Sequence, residues 1–216
     1  MKNIERAWGA GLVAALLWSC GSDADSEPAH TTDAGTHAES QETDADGGIV
    51  RYVGEVQDAD IRVAILTTAT QARLFFCGGE TNVASDTHWF NLTRNGAKVA
   101  GEEGEFGLNA QLEPAAVSGE YRVGTQRHTF TTRKLVPGTL SGLYEGSGDC
   151  GRLGLILSQS APGAEILAQG ACVGGGHTPE QVNPILPIAS QDGSIRVQAP
   201  GQSDTLLLQA ADISPL

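Results

Sequence analysis

Aromatic residues, cations and long apolar runs are all scarce in this sequence of 216 residues. Aromatics make up 5% of the chain, and 13 Lys and Arg stand against 26 Asp and Glu, a net charge of −13. Too few cations are present to neutralise phosphates, so we expect no nucleic-acid partner. The apolar run at residues 7–17 rises about 16 Å as a helix, roughly half of a bilayer core, and predicts no transmembrane span.

The composition favours a small β-rich domain. Hydrophobic residues make up 40% of the chain, which is enough for one modest core and argues against wholesale disorder. Glycine is abundant, with 28 residues, and the apolar runs are short. This combination is typical of a loop-rich β fold rather than a helical one.

The first 19 residues have the pattern of an export signal. Lys2 and Arg6 supply a positive start, the apolar run follows, and Ser19 is a small residue before Cys20. Short apolar segments with these flanks are typical of signal peptides. The alternative is an ordinary secretory signal followed by a chance cysteine.

Leu17, Ser19 and Cys20, at positions −3, −1 and +1, resemble the lipobox of bacterial lipoproteins. The resemblance covers residues 1–20 only. It implies that the Cys20 thiol is diacylated through one lipid group that bears two fatty acyl chains, of the palmitate type. It also implies that the signal is cut before Cys20 and that the new N-terminus is usually acylated. Two or three acyl chains give a stable anchor, so membrane lipid is an implied partner.

The residues after the cysteine bear on which membrane holds the anchor. Gly21 and Ser22 replace the Asp that resembles an inner-membrane retention signal. We therefore expect the protein in the cell envelope, with the outer membrane preferred.

Residues 20–48 have the composition of a disordered acidic linker. They contain eight Asp and Glu, no Lys or Arg, and after Cys20 no Val, Ile, Leu or aromatic residue. Such a segment has nothing to bury and extends by charge repulsion, with a reach on the order of 30 Å. The first 19 residues contribute +1 and the linker −8, so −6 of the net −13 remains for residues 49–216. This remainder is predicted to be a single, mildly acidic domain.

Short β-rich runs separated by Gly, Asp, Asn and Pro follow the linker. Asn95-Gly96 marks one hairpin, and Ser160-Ala161-Pro162-Gly163 marks a second. One short helical turn is predicted at 178–182, with Thr178 as N-cap and Pro179 at the first helical position. The fold class is therefore all-β, an antiparallel, meander-like barrel or sandwich. The predicted strands are 50–56, 62–67, 72–77, 88–93, 97–101, 105–112, 119–123, 128–132, 139–144, 152–158, 165–171, 194–198 and 205–209.

Two segments of the β-rich part look alike. Tyr52-Val53-Gly54 and Tyr144-Glu145-Gly146 each precede an apolar strand, a turn, and a second strand ending in Cys and Gly. The likeness indicates either an internal duplication or two hairpins that follow the same rules.

Cys77, Cys150 and Cys172 remain beyond the lipobox cysteine. An exported chain meets an oxidising compartment, which favours one disulfide and one free thiol. Folding the chain about residue 161 places Cys150 opposite Cys172, within bridging distance, so we expect this pair. Cys77 paired with either of the others is the alternative.

No catalytic residue, cofactor or metal site is predicted. Hydrolase and phosphate-loop signatures and Cys-x-x-Cys are absent, and the spacing of His88, His128 and His177 matches no zinc site. Cys77 with His88 is a conceivable nucleophile pair, but a buried apolar cysteine is the simpler interpretation. Acidic clusters around 58–60 and 102–105 are expected in solvated turns. Trp89 and Phe90 are expected as core anchors rather than pocket residues.

Two functional hypotheses follow. The first is a non-enzymatic, membrane-anchored lipoprotein whose β domain binds a protein, glycan or small ligand, or has a structural role. The alternative is an envelope-associated hydrolase with an unrecognised active site. An apolar barrel interior open at one end favours ligand binding. A histidine held against a carboxylate and a hydroxyl favours the enzyme.

Overall fold

The computed structural model describes residues 48–174 and 176–213, apart from the side chain of His177. These residues form two closed antiparallel β-barrels, and both barrels belong to one compact unit. The predicted all-β class and antiparallel barrel are confirmed, and the sandwich alternative is wrong. Cys20, the export signal and nearly all of the acidic linker lie outside the described residues.

The first barrel, called the N-barrel, is an eight-stranded meander in which each strand pairs with the next. It closes where β1 pairs with β8, which places Val53 opposite Arg133. The predicted hairpin at Gly96 is confirmed, since Asn95 pairs with Lys98 and Gly96 has a φ of +61°. One four-residue helix, α1 (Val83–Asp86), follows the third strand. The strands are β1 (Val50–Val56), β2 (Ile61–Thr67), β3 (Gln71–Gly78), β4 (His88–Asn95), β5 (Lys98–Glu103), β6 (Phe106–Leu112), β7 (Ala116–Val123) and β8 (Gln126–Lys134).

The second barrel, called the C-barrel, has six strands in the order β12-β11-β10-β9-β15-β14. It closes through a short pairing in which Asn183 lies opposite Gln198. The two-residue strand β13 pairs with β14 beside this closure. The strands are β9 (Gly142–Gly148), β10 (Gly151–Gln159), β11 (Ile166–Gly174), β12 (His177–Pro184), β13 (Ser190–Gln191), β14 (Ser194–Gln198) and β15 (Thr205–Ala210).

The helical turn predicted at 178–182 is wrong, because these residues belong to strand β12. Local signals for a helix start, Thr178 and Pro179, are overridden by pairing with β11 and β14, which closes the barrel. Pro179 falls where the register with β11 shifts, between Cys172 and Gly174. Proline has no N–H to donate and is tolerated at such an irregularity. Strand β13 and helix α1 were also not predicted.

Aromatic side chains occupy the N-barrel interior. Phe76 stacks on Tyr121 with ring centroids 4.0 Å apart, and Phe130 and Phe90 meet Phe76 edge-on at 5.3 and 6.1 Å. All four are fully buried. Each such pair stabilises a core by about 0.5–1.5 kcal/mol beyond its buried area. The interior is therefore a packed core, as is usual for barrels of eight strands.

Aliphatic side chains fill the C-barrel interior instead. Leu153, Leu155 and Leu157 alternate inward along β10 and are fully buried, while Tyr144 donates a hydrogen bond to the Leu140 carbonyl at 3.1 Å. Both β10 faces are apolar because the intervening residues pack against the N-barrel. This explains the nearly continuous apolar run in the sequence.

The two barrels share a third core between their walls. Leu66, Phe75 and Trp89 of the N-barrel pack with Leu143 and Ile156 of the C-barrel, all buried. At Gly154, next to this core, a Cβ would lie 2.6 Å from the rings of both Phe75 and Trp89. Glycine is therefore required for the two walls to approach this closely.

The tyrosines of the two similar segments occupy corresponding places in the two barrels. Tyr52 in β1 lies opposite Ile65 in β2, and Tyr144 in β9 lies opposite Leu155 in β10. The cysteines do not correspond. Cys77 lies opposite Arg62, whereas Cys172 lies opposite Leu153 rather than Arg152. One residue of offset reverses the face of a strand, so Cys77 faces the shared core and Cys172 faces the C-barrel interior.

Candidate functional site

The predicted disulfide between Cys150 and Cys172 is present, with Cα atoms 6.0 Å apart. The two cysteines are not directly opposite each other, as the predicted register had them. Leu153 is the residue opposite Cys172, because the β10–β11 hairpin turns about residues 162–163 rather than residue 161. Cys150 instead lies in the turn between β9 and β10 and reaches Cys172 from the end of the barrel. The bridge therefore ties this turn to the neighbouring strand β11.

Cys77 is free, fully buried and part of the core between the barrels. Burial raises the pKa of its thiol to about 12, against a weaker opposing effect of a hydrogen bond with Thr87. At neutral pH the sulfur is therefore a neutral thiol, which is a poor nucleophile. Phe76, not Cys77, lies opposite His88, so the side chains of Cys77 and His88 occupy opposite faces of the barrel wall. The structure does not bring the conceivable Cys–His pair together.

His88 pairs with a carboxylate. Its Nε2 atom lies 3.1 Å from Oε2 of Glu103, and its ring stacks on Phe106 with centroids 4.1 Å apart. Burial lowers the pKa of His88, and the Glu103 carboxylate opposes this shift. The pair joins β4 to β5, which share only the two cross-strand pairs nearest their turn. The nearby Tyr121 hydroxyl donates to the Asp86 carbonyl at 3.0 Å, so it is already engaged.

The other histidines do not join His88 in a site, and Glu103 is the member of the acidic cluster at 102–105 that contacts it. His128 lies on β8, and the backbone of His177 lies on β12 of the other barrel. Glu102 is taken by an ion pair with Arg122. Among the described residues, no three His, Cys, Asp or Glu side chains are grouped so that they could hold a metal ion.

Phe90 is a core residue of the N-barrel, as expected, and Trp89 is a core residue between the barrels. The Trp89 ring stacks on Phe75 at 4.2 Å and is covered on its other side by Arg152, whose Cζ lies 3.5 Å from the ring centroid. Glu145 binds both Arg152 and Arg73, the latter at 2.9 Å. This network of ion pairs joins side chains of the two barrels and fixes their contact.

A groove of about 340 Å³ lies between the barrels, where β1 and β8 face β10. Val53 supplies buried apolar surface, and Glu55, Thr131 and Arg133 project from the N-barrel wall, with Ser158 on the other side. This volume is at the lower end of the range for small-molecule sites. These residues were not predicted, because they come from three strands, of which β1 lies far from β8 and β10 in the chain, and form no motif.

No protein-family model, curated protein or solved structure matches this chain. Within residues 48–174 and 176–213, no helix is long and apolar enough to span a membrane.

Proposed function

We propose that this protein is an exported lipoprotein, held in the cell envelope by acyl chains on Cys20. The acidic linker is the spacer, and the paired barrels are a non-enzymatic binding module beyond it. The outer membrane is the proposed site of the anchor, because Gly21 and Ser22 follow the cysteine. Membrane lipid is thus one partner and a ligand of the barrels is the other.

The disulfide between Cys150 and Cys172 is the observation that carries the export part of this proposal. Disulfides form and persist in oxidising compartments and are rare where thiols are kept reduced. A chain that begins with an apolar signal and contains a bridge suits a location outside the cytoplasm. The lipobox resemblance then supplies the means of retention.

A binding role is supported by the way in which the barrels are packed. Both interiors are occupied by side chains of their own strands, so the ligand is expected on an outer surface. The groove between the barrels is such a surface. Its two walls are held together by the shared core and by the ion pairs of Glu145 with Arg152 and Arg73. Rigid walls reduce the entropy cost of binding.

A hydrolase is the less favoured proposal. Its strongest support is the contact of His88 with Glu103, because a histidine oriented by a carboxylate supplies two of the three members of a catalytic triad. The Tyr121 hydroxyl, however, is engaged with the Asp86 backbone, and Phe106 covers one face of the imidazole. We therefore assign this pair to the joining of β4 and β5.

Membrane fractionation of a Cys20→Ala variant tests the anchor. The wild-type chain is expected in the membrane fraction and the variant in the soluble fraction. Ser22→Ala is the matched control, since it changes a neighbouring small residue but keeps the thiol. A Cys20→Ala protein that still sediments with membranes, in salt high enough to release peripheral proteins, would contradict acylation as the means of attachment.

A further inference from the structure

The outer faces of two strands meet at the mouth of the groove between the barrels. Val53 lies opposite Arg133, and Glu55 lies opposite Thr131, so all four share the outer face of the N-barrel. Gly54 allows the close packing of this wall, since a Cβ there would lie 2.2 Å from the Thr131 carbonyl oxygen. Ser158 lies across the groove on β10.

The charges at the groove are unequally compensated. Glu55 makes an ion pair with Arg62, with Nη1 of the arginine 2.9 Å from Oε1 of the carboxylate. Arg133 is exposed and makes no hydrogen bond or ion pair with any part of the chain that the structure describes. The guanidinium is therefore the uncompensated charge at the groove, on a domain whose sequence carries −6 overall.

Two hydroxyl groups accompany this guanidinium. Neither Thr131 nor Ser158 uses its side-chain oxygen in a hydrogen bond among residues 48–174 and 176–213. Thr132 differs, because it faces inward and its hydroxyl donates to the Val117 carbonyl at 3.0 Å. A guanidinium and two hydroxyls offer several donors in a small space, which suits the oxygen atoms of an anion.

We propose that this groove binds a small ligand through an oxyanion, a carboxylate or a phosphate, that accepts hydrogen bonds from Arg133, Thr131 and Ser158. The inference rests on the proposed binding function and specifies its ligand class. The groove volume of about 340 Å³ is within the range of small-molecule sites. An arginine binds either anion through two parallel N–H donors, whereas a lysine offers only a point charge.

Titration of the purified, ¹⁵N-labelled protein with sodium acetate and with inorganic phosphate tests this proposal by NMR. Choline chloride at equal ionic strength is the control for salt. We expect saturable shifts at the amides of Thr131, Arg133 and Ser158 with at least one anion and none with choline. Saturation by phosphate alone specifies a phosphorylated ligand, and saturation by acetate specifies a carboxylate.

Arg133→Gln is expected to weaken anion binding at least tenfold, since hydrogen bonds to a charged group are lost. Arg127→Gln is the matched control, because it removes the same charge from the same strand, where Arg127 is ion-paired with Glu120. Equal affinity in the wild-type protein and Arg133→Gln, or shifts that never saturate, would overturn the proposal. That failure would leave the Cys20 fractionation result standing, so the two proposals fail separately.

Discussion

The guanidinium of Arg152 in the C-barrel covers the indole ring of Trp89 in the N-barrel, with Cζ of the arginine 3.5 Å from the ring centroid. Phe75 stacks on the opposite face of the ring at 4.2 Å, so the indole lies between a cation and an aromatic side chain. Glu145 holds the guanidinium in place. The C-barrel thus supplies one of the two side chains that pack on the Trp89 ring of the N-barrel.

Replacement of Arg152 by alanine is expected to destabilise the protein by about 1–2 kcal/mol, because a partly buried cation–π contact is lost. The free energy of unfolding in urea, followed by tryptophan fluorescence, measures this loss. Arg196→Ala is the control, since Arg196 is exposed on the outer face of β14 and its removal should change the value by less than about 0.5 kcal/mol. Equal changes in the free energy of unfolding for the two substitutions would mean that the contact of Arg152 with Trp89 does not stabilise the packing of the barrels.

Removal of the disulfide by Cys150→Ala with Cys172→Ala is expected to lower the free energy of unfolding by about 3 kcal/mol. The bridge spans 22 residues, and closing a loop of this size restricts the unfolded chain by about that amount. Urea unfolding with and without dithiothreitol supplies the measurement and its control. Reductant should lower the stability of the wild-type protein to that of the double variant and leave the variant unchanged. A reductant effect on the variant would show that the loss has another cause.

Stability is expected to fall on acidification through the titration of His88. Because the pKa of His88 is lowered in the folded protein, the unfolded chain binds more protons below its own pKa of about 6.5. The contribution of His88 to the free energy of unfolding is complete above about pH 6.5. It is lost as the pH falls through the pKa that His88 has in the folded protein. His88→Gln should show a smaller loss of unfolding free energy between pH 8 and pH 5 than the wild-type protein.

Glu103 is the charged group facing His88, and its own substitution by Gln should steepen the acid loss, because the carboxylate raises the pKa of His88. If His88→Gln leaves the pH dependence of stability unchanged, the histidine is not titrating in this window.

Cys77 is expected to resist alkylation in the folded protein. Its thiol is buried between the barrels with a pKa raised to about 12, so the reactive thiolate is nearly absent at pH 8. Iodoacetamide labelling followed by peptide mass spectrometry should find Cys77 unmodified in buffer and modified in urea. Rapid modification without denaturant would contradict its burial between the two walls.

Strand positions were largely predictable because alternation and turn residues are local properties of a sequence. The structure places β1 at Val50–Val56 and β14 at Ser194–Gln198, the predicted bounds. Strand β12 was missed because Thr178 and Pro179 are local signals for a helix start, whereas pairing with the preceding strand β11 and with β14 makes this segment a strand.

The division into two barrels was not predictable in this way. Closure depends on pairs such as Val53 with Arg133, which lie far apart in the chain and leave no periodic signal. The register of the β10–β11 hairpin was wrong because the turn lies at residues 162–163 rather than at residue 161, although the predicted cysteine pair is the one observed. The groove likewise joins Glu55, Arg133 and Ser158, whose proximity arises only when both barrels have closed and docked.

Mass spectrometry of the N-terminal peptide from protein purified out of the membrane fraction tests the account most directly. We predict a mature chain that begins at Cys20, with a mass increased by one thiol-linked lipid group that bears two fatty acyl chains and by an acyl group on the new N-terminus. A chain that begins at Met1, or a terminal Cys20 without fatty acid, would contradict it.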